Sequence, residues 1–214
     1  MKLKTLKLTH QVLIKNNKII SVLTIKDSTK ALDLAKCLFD SGIVNLDIRL
    51  RTIESRKAIE LITNSKYEFN IGVGTVLSVE DLNFVKSLGI KYAFSPVTDY
   101  NILEYSKQIN FNFIPGVSNI SDINTALNYK CQFLKYYPAE NLGGIRNLNS
   151  LINKNKLSEL KFIAMGGINS SNIKAYLKHK NIVGIGLSWI ANENLVESSN
   201  WIEINRRAQL IMDL

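Results

Sequence analysis

Val44-Asn45-Leu46-Asp47-Ile48-Arg49-Leu50-Arg51 places an apolar residue at every even position and a charge at 47, 49 and 51. Successive side chains of an extended strand point to opposite faces, so the three charges share one face and the aliphatic residues the other. Alone, the segment also fits an edge strand that turns its charges to solvent. The rest of the chain weighs against that. Short apolar or alternating runs recur at residues 19–25, 44–50, 70–75, 92–95, 112–114, 133–136, 162–165 and 183–187. Each is followed by a helical pattern, the signature of repeated βα units around a parallel sheet.

The helices are legible in caps and stripes. Ser28 leads into Ala31, Leu34, Ala35 and Leu38, with Gly42 as a stop, and Ser78 with Asp81 forms a capping box before Leu82 and Val85. Later stripes are Ile102/Tyr105/Ile109, Ile145/Leu148/Ile152 and Ile173/Leu177. The expected architecture is therefore α/β, a (β/α)8 TIM barrel forming a single domain over residues 1–214, with further helices at 9–16 and 201–212. Helices must cover the apolar face of each strand, so 47, 49 and 51 are expected to point into the barrel. Charges there are costly unless they are paired or do work.

Composition narrows the partners. With 214 residues and 46% hydrophobic content the chain can bury one core, and three prolines with no low-complexity stretch leave no obvious linker. Cys37 and Cys131 stand apart without a CxxC partner, so neither a disulfide framework nor a zinc knuckle is expected, and a cytoplasmic setting is the simpler reading. The N-terminus lacks a signal-peptide core, and no apolar run approaches a membrane span. The net charge of +9 is spread along the chain without a basic block, so neither nucleic acid nor membrane is an expected partner.

Reactive groups of such a barrel sit at the C-terminal strand ends. There, Phe133, Lys135 and Tyr137 share one parity, which aims a lysine inward between two rings. Burial and nearby arginines favour the neutral amine, a nucleophile towards ketones; a lysine snorkelling to solvent is the plainer alternative. The two histidines, His10 and His179, fall on expected helices, which leaves little from which to build an imidazole metal cluster or a Ser-His-Asp arrangement. No metal and no cofactor are expected. Gly166-Gly167, followed by an expected helix start, and Gly186-Leu187-Ser188 lie where barrels of this kind often hold phosphate, although a Gly-Gly pair can also be only a tight turn.

Seven stretches then occur in order: Leu46-Asp47-Ile48-Arg49-Leu50-Arg51-Thr52, Gly72-Val73-Gly74-Thr75-Val76-Leu77, Phe94-Ser95-Pro96, Ile114-Pro115-Gly116-Val117-Ser118, Leu134-Lys135-Tyr136-Tyr137-Pro138-Ala139-Glu140, Gly166-Gly167-Ile168 and Gly186-Leu187-Ser188-Trp189. Together, over nearly the whole chain, they resemble the bacterial 2-dehydro-3-deoxy-phosphogluconate aldolase and 4-hydroxy-2-oxoglutarate aldolase family. The resemblance implies a homotrimer and class I chemistry on a phosphorylated 2-oxo acid. It makes Lys135 the Schiff-base lysine and Asp47 the general acid/base. Arg51 and Thr75 become the 2-oxo carboxylate site, Tyr137 an aromatic wall, and Gly166, Gly167 and Ser188 the site for the distal phosphate or carboxylate.

Four positions depart from the family pattern. Asp47 replaces a glutamate, withdrawing the carboxylate by about 1.5 Å. Arg49 adds a cation where the family has a small residue, and pairing with Asp47 is expected of it. Met165 replaces a threonine and Leu187 a glycine, which would crowd a phosphate. The leading expectation is cleavage of 2-dehydro-3-deoxy-6-phosphogluconate to pyruvate and glyceraldehyde 3-phosphate. The alternatives are 4-hydroxy-2-oxoglutarate as substrate, giving pyruvate and glyoxylate, oxaloacetate decarboxylation as a side activity, a catalytically weak barrel that only binds a sugar acid or phosphate, and a phosphosugar isomerase that would not need Lys135.

Overall fold

The alternating strand at residues 44–51 becomes β2, Asn45–Arg49, with Leu46 and Ile48 packed outward against helices and Asp47 wholly buried on the other face. It belongs to a computed structural model that describes Ile14 and residues 17–214. Around it stand β1 (Ile19–Leu23), β3 (Asn70–Gly74), β4 (Tyr92–Phe94), β5 (Asn112–Ile114), β6 (Gly116–Val117), β7 (Phe133–Tyr136), β8 (Lys161–Met165) and β9 (Ile182–Leu187). All recorded pairings are parallel, in the order β5-β4-β3-β2-β1-β9-β8-β7-β6.

The two ends of that order are neighbours in the chain, separated only by Pro115. Proline has no N–H to donate to a ladder, so one expected strand reads as two. The Pro115 carbonyl accepts from the Lys135 amide at 2.9 Å, which brings β7 against the break and closes the ring. The fold is thus the expected (β/α)8 barrel, its fifth strand broken at a proline. β5 and β7 match the expected bounds, and the remaining strands agree within two residues at either end.

The helices form an outer layer: α1 (Ala31–Asp40), α2 (Ile53–Thr63), α3 (Val79–Ser87), α4 (Tyr100–Gln108), α5 (Ile120–Asn128), α6 (Gly144–Lys154), α7 (Ile173–Leu177), α8 (Glu193–Glu197) and α9 (Trp201–Met212). Side chains cap the starts of α2, α3, α4, α5, α8 and α9, whereas α1, α6 and α7 start without such a bond. Ser78 accepts from the Asp81 amide at 3.1 Å, whereas the Asp81 carboxylate accepts from Leu77 rather than from Ser78, so the expected box closes one residue early. The reciprocal box lies at Thr52 and Ser55, at the head of α2. The expected helix at 9–16 falls outside the described residues except for Ile14.

Two apolar layers result. One lies between sheet and helices; the other, inside the barrel, gathers Ile14, Ile20, Val22, Tyr92, Phe94, Ile114, Phe133, Ile163, Met165 and Val183. Burying each large aliphatic or aromatic side chain contributes about 1.5–3 kcal/mol. The inner layer floors the C-terminal mouth and dries it. Among the described residues no helix is long and apolar enough to cross a membrane.

Candidate active site

At the top of the inner layer β7 presents Lys135, 5% exposed, with its Nζ 4.8 Å from the Tyr137 ring centre and 5.8 Å from that of Phe94. The parity of Phe133, Lys135 and Tyr137 therefore turns the lysine inward as expected, and the snorkelling alternative does not hold. Burial pushes the Lys135 amine down to about 8; Asp47 opposes this, while Arg49 and Arg51 add to it. A group near 8 is about one-tenth neutral at pH 7, far more than an ordinary lysine offers.

Asp47 lies across the barrel on β2. Burial drives its carboxyl upward, against the pull of Lys135, Arg49 and Arg51. Neither carboxylate oxygen has a hydrogen-bond partner among the described residues, and no ion pair to it is recorded. The expected Arg49–Asp47 pair is thus not formed. A buried carboxylate without a bond stands ready to take a proton or a water. Glycine on β3 makes the room: a Cβ at Gly74 would lie 2.2 Å from Asp47 Oδ1. Gly74→Ala is accordingly expected to displace the carboxylate and lower kcat by about 10- to 100-fold, since misplacements near 1 Å cost about that much. Steady-state kinetics beside a melting curve would check it; unchanged kcat would mean that the Asp47 position is not critical.

Thr75 follows β3 with φ 59°, left-handed backbone that a β-branched residue rarely adopts. Strain of this kind costs on the order of 1–3 kcal/mol and clusters at ligand-binding sites. Arg51 departs from the parity reading. β2 ends at Arg49, the Arg51 amide turns back to the Arg49 carbonyl at 3.1 Å, and the guanidinium stands on the rim, 3.9 Å from Glu193. Alternation applies only while the chain stays extended.

Gly166 and Gly167 follow β8 with φ 98° and 78°. A Cβ on Gly167 would lie 2.7 Å from the Glu140 Cβ, so the pair packs against the turn after β7, where the Ala139 and Glu140 amides donate to Met165 and Gly166. Glu140 in turn accepts from the Tyr176 hydroxyl. The helix expected to open at this loop starts only at Ile173, because side-chain turns of Asn169 and Asn172 occupy residues 169–172. The Gly167 and Ile168 amides nevertheless donate to no acceptor among the described residues. Leu187 faces the outer helices and crowds nothing at the mouth, while Met165 fills the interior beside Gly186.

Ser188 opens onto a cavity of about 340 Å³ that Arg49, Thr24, Asn192 and Glu193 also line. Of these, Thr24 follows β1 and Asn192 and Glu193 form the capped start of α8, positions that carry no periodic signal in the sequence. His179 lies away from these strand ends, bonded to Asn149 at 2.9 Å, and His10 is outside the described residues. Among the described residues no three His, Cys, Asp or Glu side chains converge as a metal-ligand set.

The geometry is an amine held largely buried, opposite an unbonded carboxyl and beneath a polar, cationic rim. The chain as a whole is similar to known proteins. The family pattern described as "Aldolase: KDPG and KHG aldolase" matches residues 11–207. The 2-dehydro-3-deoxy-phosphogluconate aldolase of Haemophilus influenzae is 31% identical over 208 residues, covering 96% of this chain and 97% of the relative. The KHG/KDPG aldolase of Escherichia coli K12 is 28% identical over 207 residues, covering 97% and 96%. A crystal structure of KDPG aldolase from Legionella pneumophila, with pyruvate captured as a covalent carbinolamine intermediate, superposes with a TM-score of 0.87 at 32% identity, covering 94% of this chain and 96% of that one. An inward lysine on such a barrel and a match of this length lead to one conclusion: the chain belongs to the KDPG and KHG aldolase family.

Proposed function

We propose that this chain cleaves 2-dehydro-3-deoxy-6-phosphogluconate to pyruvate and glyceraldehyde 3-phosphate through a Schiff base on Lys135. The observation that carries the reading is the buried Lys135 amine, lowered to about 8 and facing the unbonded carboxyl of Asp47. The neutral amine attacks the C2 ketone to give a carbinolamine, which loses water as an iminium. A base takes the C4 hydroxyl proton, the C3–C4 bond breaks, and its electron pair moves into the iminium, leaving an aldehyde and an enamine. Protonation at C3 and hydrolysis by water release pyruvate and restore the amine. Asp47 is the carboxyl placed to move those protons, directly or through a water.

In this scheme Thr75 and Arg51 hold the 2-oxo carboxylate, with Arg51 leaving Glu193 to do so, and Tyr137 walls the C2–C3 segment. Gly166, Gly167 and Ser188 receive the distal anion, for which the two unbonded amides after Gly166 are suited donors. 4-Hydroxy-2-oxoglutarate is the second substrate to test, because the rim cations suit a distal carboxylate as well as a phosphate.

The reading is tested by treating the protein with pyruvate and borohydride and mapping the peptides. The expected result is a stable mass increase on Lys135; binding of the sugar acid without trapping would make the chain a silent binder. Trapping should quicken about tenfold per pH unit below 8 and level off above it, as the neutral amine fraction does.

The whole chain acts in this reading as one domain, in the cytoplasm, as a homotrimer. Ile53, Leu77 and Val97 support the assembly: they are 87%, 54% and 50% exposed in the segments that follow β2, β3 and β4. Light scattering should return three times the chain mass of 24.1 kDa.

A further inference from the structure

Arg49 is the residue at the mouth that the mechanism above leaves unused. It closes β2 on the inward parity, half-buried, and forms no hydrogen bond or ion pair among the described residues. Its guanidinium does not meet Asp47, whose oxygens are unbonded. It lines instead the cavity of about 340 Å³ at the ends of β1, β2 and β9, with Val22, Thr24, Ser188, Asn192 and Glu193. At roughly 30 Å³ per water, that space takes a phosphorylated three-carbon fragment.

The cavity also carries a carboxylate, so its sign has to be worked out. Glu193 lies 3.0 Å from Lys26 and 3.9 Å from Arg51, and Lys26 also reaches Glu197 at 2.8 Å. The acidic charge of this wall is thus met by cations, and Lys26 stays on Glu193 when Arg51 turns to the 2-oxo carboxylate. The charge left facing the cavity without a partner is that of Arg49, beside the Ser188 and Thr24 hydroxyls. A planar fork of N–H donors among hydroxyls selects an anion with two or more oxygens on one centre. Arg49 is also near enough to Lys135 and Asp47 to act on both electrostatically. A substrate with its C2 at Lys135 can therefore extend its far end into this cavity.

We infer that Arg49 is a specificity-determining residue, gripping the substrate's distal anionic group in the cavity between the ends of β1, β2 and β9. This deepens the aldolase reading and rests on it for the identity of the reacting end. The distal group is a phosphate ester or a terminal carboxylate, and both offer the oxygens a guanidinium binds.

The test compares kcat/KM for 2-dehydro-3-deoxy-6-phosphogluconate, its unphosphorylated counterpart and 4-hydroxy-2-oxoglutarate, in the native protein and in Arg49→Met and Arg49→Lys. The phosphorylated-to-unphosphorylated ratio is expected to fall by about 10- to 100-fold in Arg49→Met, the loss typical of one charge-assisted contact, and to recover in part in Arg49→Lys. A larger fall for 4-hydroxy-2-oxoglutarate would name the carboxylate as the preferred anion. An unchanged ratio, whether or not overall activity drops, overturns the inference and puts Arg49 at the reacting end or in a structural role. Titration with glycerol 3-phosphate, which cannot form a Schiff base, gives a reading independent of catalysis: Arg49→Met should weaken its binding about 10-fold or more. If pyruvate fails to trap Lys135 while that weakening is seen, the aldolase reading falls and the anion site stands; if trapping succeeds and glycerol 3-phosphate binds both proteins equally, the anion site falls alone.

Discussion

Lys135→Met is expected to abolish cleavage and borohydride trapping while making the protein more stable at pH 7. The activity loss should reach on the order of 10⁴-fold or more, since Lys26, a second amine at this mouth among the described residues, is exposed and held in ion pairs with Glu193 and Glu197. The stability gain follows from linkage. The Lys135 amine sits at about 8 in the folded chain against 10.5 for an ordinary lysine. Between those values the unfolded chain binds a proton that the folded chain does not, so stability rises with pH across that window. Below about pH 8 both states are protonated and the folded state carries the full cost of the buried ammonium. Methionine, of similar length and apolar, removes that cost. The shift, which already includes the attraction to Asp47, corresponds to about 3 kcal/mol, and with imperfect packing of the new side chain a gain on the order of 1–3 kcal/mol is expected at pH 7. For a chain of this size that is a rise in Tm of roughly 3–10 °C. The gain should fade as pH climbs from 8 towards 10.5. A Tm that is unchanged or lower at pH 7 would mean that the native amine carries no burial cost and is not primed as a nucleophile.

Much of this is legible in the sequence, because periodicity is a strong signal where strands alternate. Val44 to Leu50 announced an inward-charged strand, and Phe133, Lys135 and Tyr137 announced where the amine would point. The misreadings share a cause: each extends a local rule past the end of its element. Arg51 was placed inside by parity, but β2 stops at Arg49 and the rim turns Arg51 towards Glu193. Gly166 and Gly167 were expected to open a helix, but Asn169 and Asn172 offer the backbone competing side-chain bonds, and α7 waits until Ile173. Leu187 was expected at the phosphate; it faces outward, as the partner of the inward Gly186 one step earlier on β9. The Arg49–Asp47 pair was expected from opposite charge alone, yet two inward residues on one strand can diverge once one of them reaches the mouth. The polar wall of Thr24, Asn192 and Glu193 has no sequence signal, since it is assembled from the end of β1 and the start of α8, distant in the chain.

Asp47→Asn is expected to lower kcat by about 10²- to 10⁴-fold, the usual worth of a positioned acid or base, while leaving Lys135 able to be trapped with pyruvate. The two side chains have nearly the same shape, so the substitution removes proton transfer and charge with little repacking. Burial raises the carboxyl above 3.8, so the folded chain holds its proton to higher pH than the unfolded chain does. The cost of the carboxylate thus builds up as pH rises from 3.8 and is complete above the raised value. Asparagine lacks that ionisation, and the variant should match or exceed native stability at neutral pH, with any advantage vanishing in acid. A further readout separates a proton carrier from a spacer. Asp47 holds the Lys135 proton on, so its removal should move the rising limb of the trapping profile to lower pH, even as turnover falls. A merely structural role would lower both activities and move neither limb. Turnover retained within about threefold would send the proton transfers to another group, and Asp47 would then be only the inner wall of its site.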